Sequence, residues 1–108
     1  MPLQTAVLQG GVALGTTSTT LYTVPTAKSA WVKVAVMTNT SAASVNVTIT
    51  ITRAAGAPII ITPATPIPAS TAYVVREMAG QALGAGDVVS AFASTAGTVN
   101  AFLSGLST

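Results

Sequence analysis

The stretch Ser44–Arg53 reads SVNVTITITR, and it constrains the fold more than any other ten residues of the chain. Val45, Val47, Ile49 and Ile51 share one parity; Asn46, Thr48, Thr50 and Thr52 share the other. Successive strand side chains point to opposite faces, so the alternation predicts a β-strand with one buried and one wet face. The wet face carries threonine and asparagine where a free soluble domain usually carries lysine and glutamate. The rest of the chain is written the same way. Only 6% of its residues are charged, against about 25% in ordinary globular domains. The cations are Lys28, Lys33, Arg53 and Arg76, and the anions are Glu77 and Asp87.

A length of 108 residues fits one domain with a single core. Val, Ile and Thr are abundant, and turn signals recur at short intervals. The expected fold class is all-β: a small antiparallel β-sandwich, jelly-roll or immunoglobulin-like, with about seven or eight strands. Residues 1–18 are glycine-rich with weak period and read as a partly extended N-terminal arm, with a short strand around Thr5–Leu8. Residues 19–108 read as the sandwich domain. Its expected strands are Thr19–Val24, Ala30–Thr38, Ser44–Arg53, Ile59–Thr62, Thr71–Glu77, Val88–Ser94 and Thr98–Leu103. Pro63–Ser70 (PATPIPAS) cannot be a central strand, because proline donates no ladder hydrogen bond, and it reads as an extended edge or loop. Met78–Asp87 reads as a glycine-rich turn region.

Composition excludes several classes of chemistry. Cysteine and histidine are absent, so no thiolate metal site and no Ser–His or Cys–His pair can form. Lys28 and Ser29 are adjacent and would point to opposite faces of a strand, which is no Ser–Lys dyad. Two carboxylates are too few for an oxygen-ligand metal site. Asp87, in LGAGDVV, fits a turn-stabilising aspartate, and Glu77 a solvated charge at a strand end. GGVALG and GQALGAG lack the Lys-Ser/Thr and helix of a phosphate loop. Asn39 (NTS) and Asn46 (NVT) match the glycosylation sequon, but the start MPLQTAVLQGG has no charged n-region of a signal peptide, so these matches read as accidental. The expected cofactor set is none.

The pI near 9.5 rests on a net charge of +2, and four scattered cations make no basic patch, so nucleic acid is not an expected partner. Membrane insertion is not expected either. The longest uncharged runs, Met1–Ala27, Ala54–Val75 and Val88–Thr108, are broken by glycine, proline and hydroxyl residues.

Among the aromatics, Phe92 and Phe102 read as core. In Ala30–Thr38 the even residues Val32, Val34 and Val36 read as the buried face. Trp31, Lys33 and Met37 lie on the other parity, which leaves Trp31 and Met37 as either an apolar surface stripe or a second buried face.

Three segments together resemble small virion proteins of tailed bacteriophages: LYTVPTAKSAWVKVAVMTNTS (Leu21–Ser41), PIPAS (Pro66–Ser70) and LGAGDVVSAFAS (Leu83–Ser94). In that group a YTVP strand leads to a basic turn and a valine-rich strand ending in NTS, and an L-x-A-G-D turn precedes the final hairpin. The resemblance covers roughly Leu21 to Leu103. It implies a compact β-sandwich structural protein without enzymatic activity, either a capsid decoration (cement) protein or a tail or neck component. A decoration role makes the major capsid protein and further copies of the chain the expected partners, on the outer capsid surface of the virion, after synthesis in the host cytoplasm. The alternatives are a tail, neck or adaptor component and a surface adhesion or carbohydrate-binding module. The candidate subunit contacts are Pro2, Leu3, Val7 and Leu8 of the arm, Trp31 and Met37, the row Thr48, Thr50 and Thr52, and Pro63, Pro66 and Pro68 of the proline segment.

Overall fold

The computed structural model describes residues 4–54 and 56–107, with the backbone alone at residues 5–7 and Glu77. Nine strands lie among them: β1 Gln4–Ala13, β2 Thr19–Thr23, β3 Ala30–Asn39, β4 Val45–Thr52, β5 Pro58–Ile67, β6 Thr71–Val74, β7 Gln81–Leu83, β8 Val88–Ala93 and β9 Val99–Ser107. A single 3-10 turn, Arg76–Met78, separates β6 from β7.

The strands form two antiparallel sheets. Sheet 1 has the order β1-β9-β3-β6, with β7 also paired to β3; sheet 2 has the order β2-β8-β4-β5. The pairing is nested. β1 lies against β9, β2 against β8, β3 against β6 and β7, and β4 against β5. A ribbon of nested antiparallel pairs rolled into two sheets is the jelly roll, so the immunoglobulin-like alternative is set aside.

β4 behaves as its alternation predicts. Val45, Val47, Ile49 and Ile51 are buried between the sheets, each stabilising the fold by about 1.5–3 kcal/mol through burial. Ala35, Met37, Val99, Ala101 and Leu103 face them from sheet 1. Pro63–Ser70 also follows its reading as an extended edge, since β5 is the outer strand of sheet 2, although it runs on unbroken from Ile59–Thr62. Asn46 turns its backbone toward β8, its carbonyl accepting from Ser94 N–H (2.8 Å) and its N–H donating to Ser94 Oγ (3.0 Å). Pro66, opposite Asn46 on β5, and Pro58, two ladder steps from Ile60 on the same parity of β4 partners, therefore sit where β4 asks for no N–H. The free edge of β5 is short of donors, which blunts it against further strand pairing.

Four expectations are corrected. The first segment is not an arm with a short strand, for Gln4–Ala13 is a full ten-residue strand hydrogen-bonded to β9. Its period is weak because the register shifts twice, between Val7 and Gln9 and between Gln9 and Val12. Gly11 there has φ +133°, and a Cβ would lie 2.9 Å from Phe102 Cε1, so the Phe102 ring occupies the space that a side chain would take.

Second, the parity of β3 inverts partway. A bulge between Val32 and Val34 puts Ala30 and Val32 inward before it, and Ala35 and Met37 inward after it. Val34 is exposed, and Met37 is core rather than surface stripe. Third, Phe92 and Phe102 are exposed on the outer faces, because the alanines beside them (Ala91, Ala93, Ala101) point inward. Bulky residues from the facing strands, among them Ile49, Ile51 and Met37, already fill the gap between the sheets, and alanine is what fits opposite them. Fourth, the region Met78–Asp87 contains β7 and the end of the 3-10 turn as well as turns.

Candidate interaction surfaces

The first question for a site is whether any group is placed to do chemistry. Asp87 is buried and its carboxylate is fully engaged. Oδ2 accepts from Arg53 Nη1 (2.6 Å) and Gly84 N–H (2.9 Å), and Oδ1 from Ala54 N–H (3.1 Å). Asp87 N–H closes the turn onto Gly84 O (3.1 Å), and Arg53 Nη1 also reaches Ala82 O (3.1 Å). Burial by itself raises the carboxyl pKa, but the Gly84 N–H, the Arg53 guanidinium and the Ala54 N–H outweigh it and hold the group below its ordinary value. This is a clasp between the β4–β5 and β7–β8 connections. The turn role expected of Asp87 is present. Its partner Arg53, 34 positions away, left no signal in the sequence.

Asn39 is a second buried polar anchor. Its Nδ2 donates to Ala43 O, Ile67 O and Pro68 O at 2.8, 2.9 and 3.2 Å, tying the β3–β4 turn to the end of β5. Among the described residues no group of three or more metal-ligating side chains occurs, and no helix is long and apolar enough to cross a membrane.

What the fold does present is two broad outer faces. On sheet 2, Thr50 and Thr52 of β4 stand between Ser90 and Val88 of β8 on one side and Ile60 and Pro58 of β5 on the other. Ile60 is 61% exposed, and Phe92, opposite Thr48, is also exposed. The threonine row is less wet than its alternation implies: Thr48 is buried at 7% exposure and Thr50 and Thr52 are half-buried. The side chains of the flanking strands close over it.

On sheet 1, Phe102, Val36 and Val74 align across β9, β3 and β6. Val34 and Ser104 form the next row, and Trp31 pairs with Leu106 and with Ala82. Val74, Val34, Phe102 and Trp31 are all exposed. A shallow depression of about 210 Å³ lies among Gln9, Gly10, Val34, Val36 and Phe102.

The candidate contacts thus separate. Trp31 belongs to the outer face of sheet 1. Thr50 and Thr52 belong to that of sheet 2, with Pro63 and Pro66 exposed on its edge strand and Pro68 exposed just beyond it. Leu8 and Met37 are core and offer no side chain to a partner. Pro2 and Leu3 lie outside the described residues, as does the side chain of Val7. Sequence reasoning missed Val34, Val74 and Phe102 on one face and Ile60 and Phe92 on the other. The alternation of alanine with phenylalanine in VSAFAS and VNAFLS was the available signal, read with the wrong side inward.

No family model matches the chain, and no curated protein matches it in sequence. Chains of two solved structures superimpose on it. A chain in the structure of infectious bursal disease virus, Gx strain, superimposes with TM-score 0.51 at 14% identity, over 98% of this chain and 32% of that one. A chain in the structure of the Gt strain gives TM-score 0.46 at 12% identity over the same shares. The chain spans about a third of the length of the chains it matches. The likeness to the Gx-strain chain is one of fold.

Proposed function

We propose that this chain is a non-enzymatic structural protein of a virion, and within that class a capsid decoration subunit that binds the outer surface of a shell and stabilises it. The observation that carries the reading is the pair of outer faces, one largely apolar and the other a threonine row with apolar neighbours, with almost no charge on either side of the sandwich. A free monomer guards such surfaces with charges; a subunit packed among others has them covered. Threonine hydroxyls can hydrogen-bond a partner without the desolvation cost of charged groups. Repetition on a lattice makes modest contacts strong. A jelly roll shared with a chain of a virus structure supports the virion class. The tailed-phage setting rests on the motifs of Leu21–Leu103, since the structural neighbours come from an animal virus.

Copy number tests the decoration reading. Densitometry of purified particles is expected to give hundreds of copies per particle. About a dozen would assign the chain to a tail, neck or adaptor, and absence from particles would end the virion reading. The threonine row gives a second test. Thr50→Lys places a charge on the outer face of sheet 2 and should weaken assembly much more than folding. An unchanged melting temperature with at least tenfold less incorporation is expected, and normal incorporation of the lysine variant removes this face as a contact.

A further inference from the structure

For a strand of ten residues β1 is held loosely. It is an outer strand of sheet 1, and its ladder to β9 comes in pieces. Gln4–Val7 pair in step with β9 from Ser107 back to Ser104; after a shift Gln9 meets Leu103, and after a second Val12 and Ala13 meet Ala101 and Asn100. Gly11 N–H donates to Gln9 Oε1 (3.2 Å). Among the described side chains of β1, Leu8 alone is buried, and Val12 is half-buried against the core. Segments with few buried apolar contacts open first. The chain leaves β1 through Leu14, whose N–H donates to Val99 O (2.8 Å) and whose carbonyl accepts from Gly97 N–H (2.9 Å). It then crosses to sheet 2 by Thr16, Thr17 and Ser18, all exposed.

We propose that β1 is exchanged between copies, so that β1 of one molecule lies on β9 of a second and the second returns its own. The site is the edge of β9, and its occupant is the first strand of another copy of this chain. A detached β1 leaves the N–H and C=O groups along that edge without partners, and such an edge is a template for a strand. Gly11 decides which strand fits. The Phe102 ring of β9 lies where a side chain at position 11 would be, with a Cβ only 2.9 Å from Phe102 Cε1, so the incoming strand needs glycine at this register. The β1 of a second copy brings that glycine and remakes every contact of the first, so exchange requires no new complementarity. Extended, the four steps from Gly15 to Thr19 span about 13–14 Å, enough to pass into a touching neighbour. Reciprocal exchange closes a pair. This property belongs to the free protein and does not rest on the shell-binding role.

The chain contains no cysteine, so introduced cysteines report which strands meet. Val12→Cys and Ala101→Cys are made in separate full-length chains. The two positions are partners in the β1–β9 register, and Ala101 is fully buried, so a thiol there is reached only by a β1 lying in place. The chains are mixed over a concentration series, oxidised under native conditions and resolved on non-reducing gels, with the join located by mass spectrometry. A disulfide between the two chains is expected, its yield rising with concentration. Met37→Cys mixed with Ala101→Cys is the control. Met37 is the β3 partner of Ala101 and equally buried, but β3 is paired on both sides and exchanges only by unfolding. The first mixture should exceed the control roughly tenfold or more. Ala13→Cys with Asn100→Cys, the next pair of the register, repeats the test should the Ala101 variant not fold. Equal yields in mixture and control overturn the proposal, because exchange then needs global unfolding. So does the absence of a linked dimer at every concentration.

Discussion

Gly105→Ala, a change of one methyl group, is expected to destabilise the protein by about 3 kcal/mol or more, at the upper end of overpacking effects. Gly105 lies in β9, opposite Val32 of β3 and Ala6 of β1. A Cβ there would overlap the carbonyl oxygen of Trp31 and come within 2.9 Å of the Trp31 carbonyl carbon and 3.1 Å of Lys33 N. These neighbours are backbone atoms of the central strand pair, so no side chain can swing aside to make room. The strands would have to part at the bulge that inverts the parity of β3. For a domain of this size the melting temperature should fall by roughly 10–20 °C. Trp31 is the sole tryptophan, so its fluorescence reports the same site, and a changed emission maximum is expected in any folded fraction. Gly97→Ala is the control. It has φ +75° but open space around its Cβ position, and should cost only about 1 kcal/mol. Equal, small losses for both variants would show that β3 and β9 separate without penalty and that the close approach does not hold the bulge in place.

The second large effect belongs to the clasp. Asp87→Ala leaves the Gly84 and Ala54 N–H groups without their acceptor and Arg53 without its carboxylate, for an expected loss of about 2–4 kcal/mol. Its pH dependence has a definite sign. The folded-state pKa of Asp87 is lowered, so its contribution is complete above the unfolded-chain value of about 3.9 and is lost as pH falls through the lower native value. Thermal melts should be flat from pH 8 to about pH 5 and drop below about pH 4. Asp87→Asn should start lower at neutral pH and lose less on acidification. Every other titratable group is common to both proteins, so the difference between the two curves isolates Asp87. An equal acid-induced drop in the substituted protein would show that the clasp carries no linkage to pH.

How much of this was legible in the sequence depended on whether a feature was local. The SVNVTITITR alternation is local, and β4 buries the side it should. The prolines of β5 are local too, and they mark an edge strand. The parity of β3 is not local. It inverts at Lys33 because Gly105, 72 positions away, lets β9 approach closely enough for a bulge to form. Nothing in AWVKVAVMT announces that. The first strand was hidden for a related reason: Gly10 and Gly11 look like a flexible arm until the Phe102 ring is seen lying over Gly11. The misplacement of Phe92 and Phe102 came from assigning the larger apolar residue to the interior, where the space left by Ile49, Ile51 and Met37 admits only alanine. Trp31 was recognised as a surface candidate, but its neighbours on the face come from four other stretches of chain.

The nested pairing of the strands bears on how the molecule comes into being. β1 finds its hydrogen-bond partner only in β9, and β2 only in β8, so the earliest strands made are the last to be satisfied. While the chain is emerging during synthesis, β4 with β5 is the pairing that forms across the shortest connection, and the outer pairs close around it afterwards. Contacts between distant parts of a chain are slow to form. Closure of the sandwich therefore waits until β9 has been made, and proceeds from the β4–β5 hairpin outward.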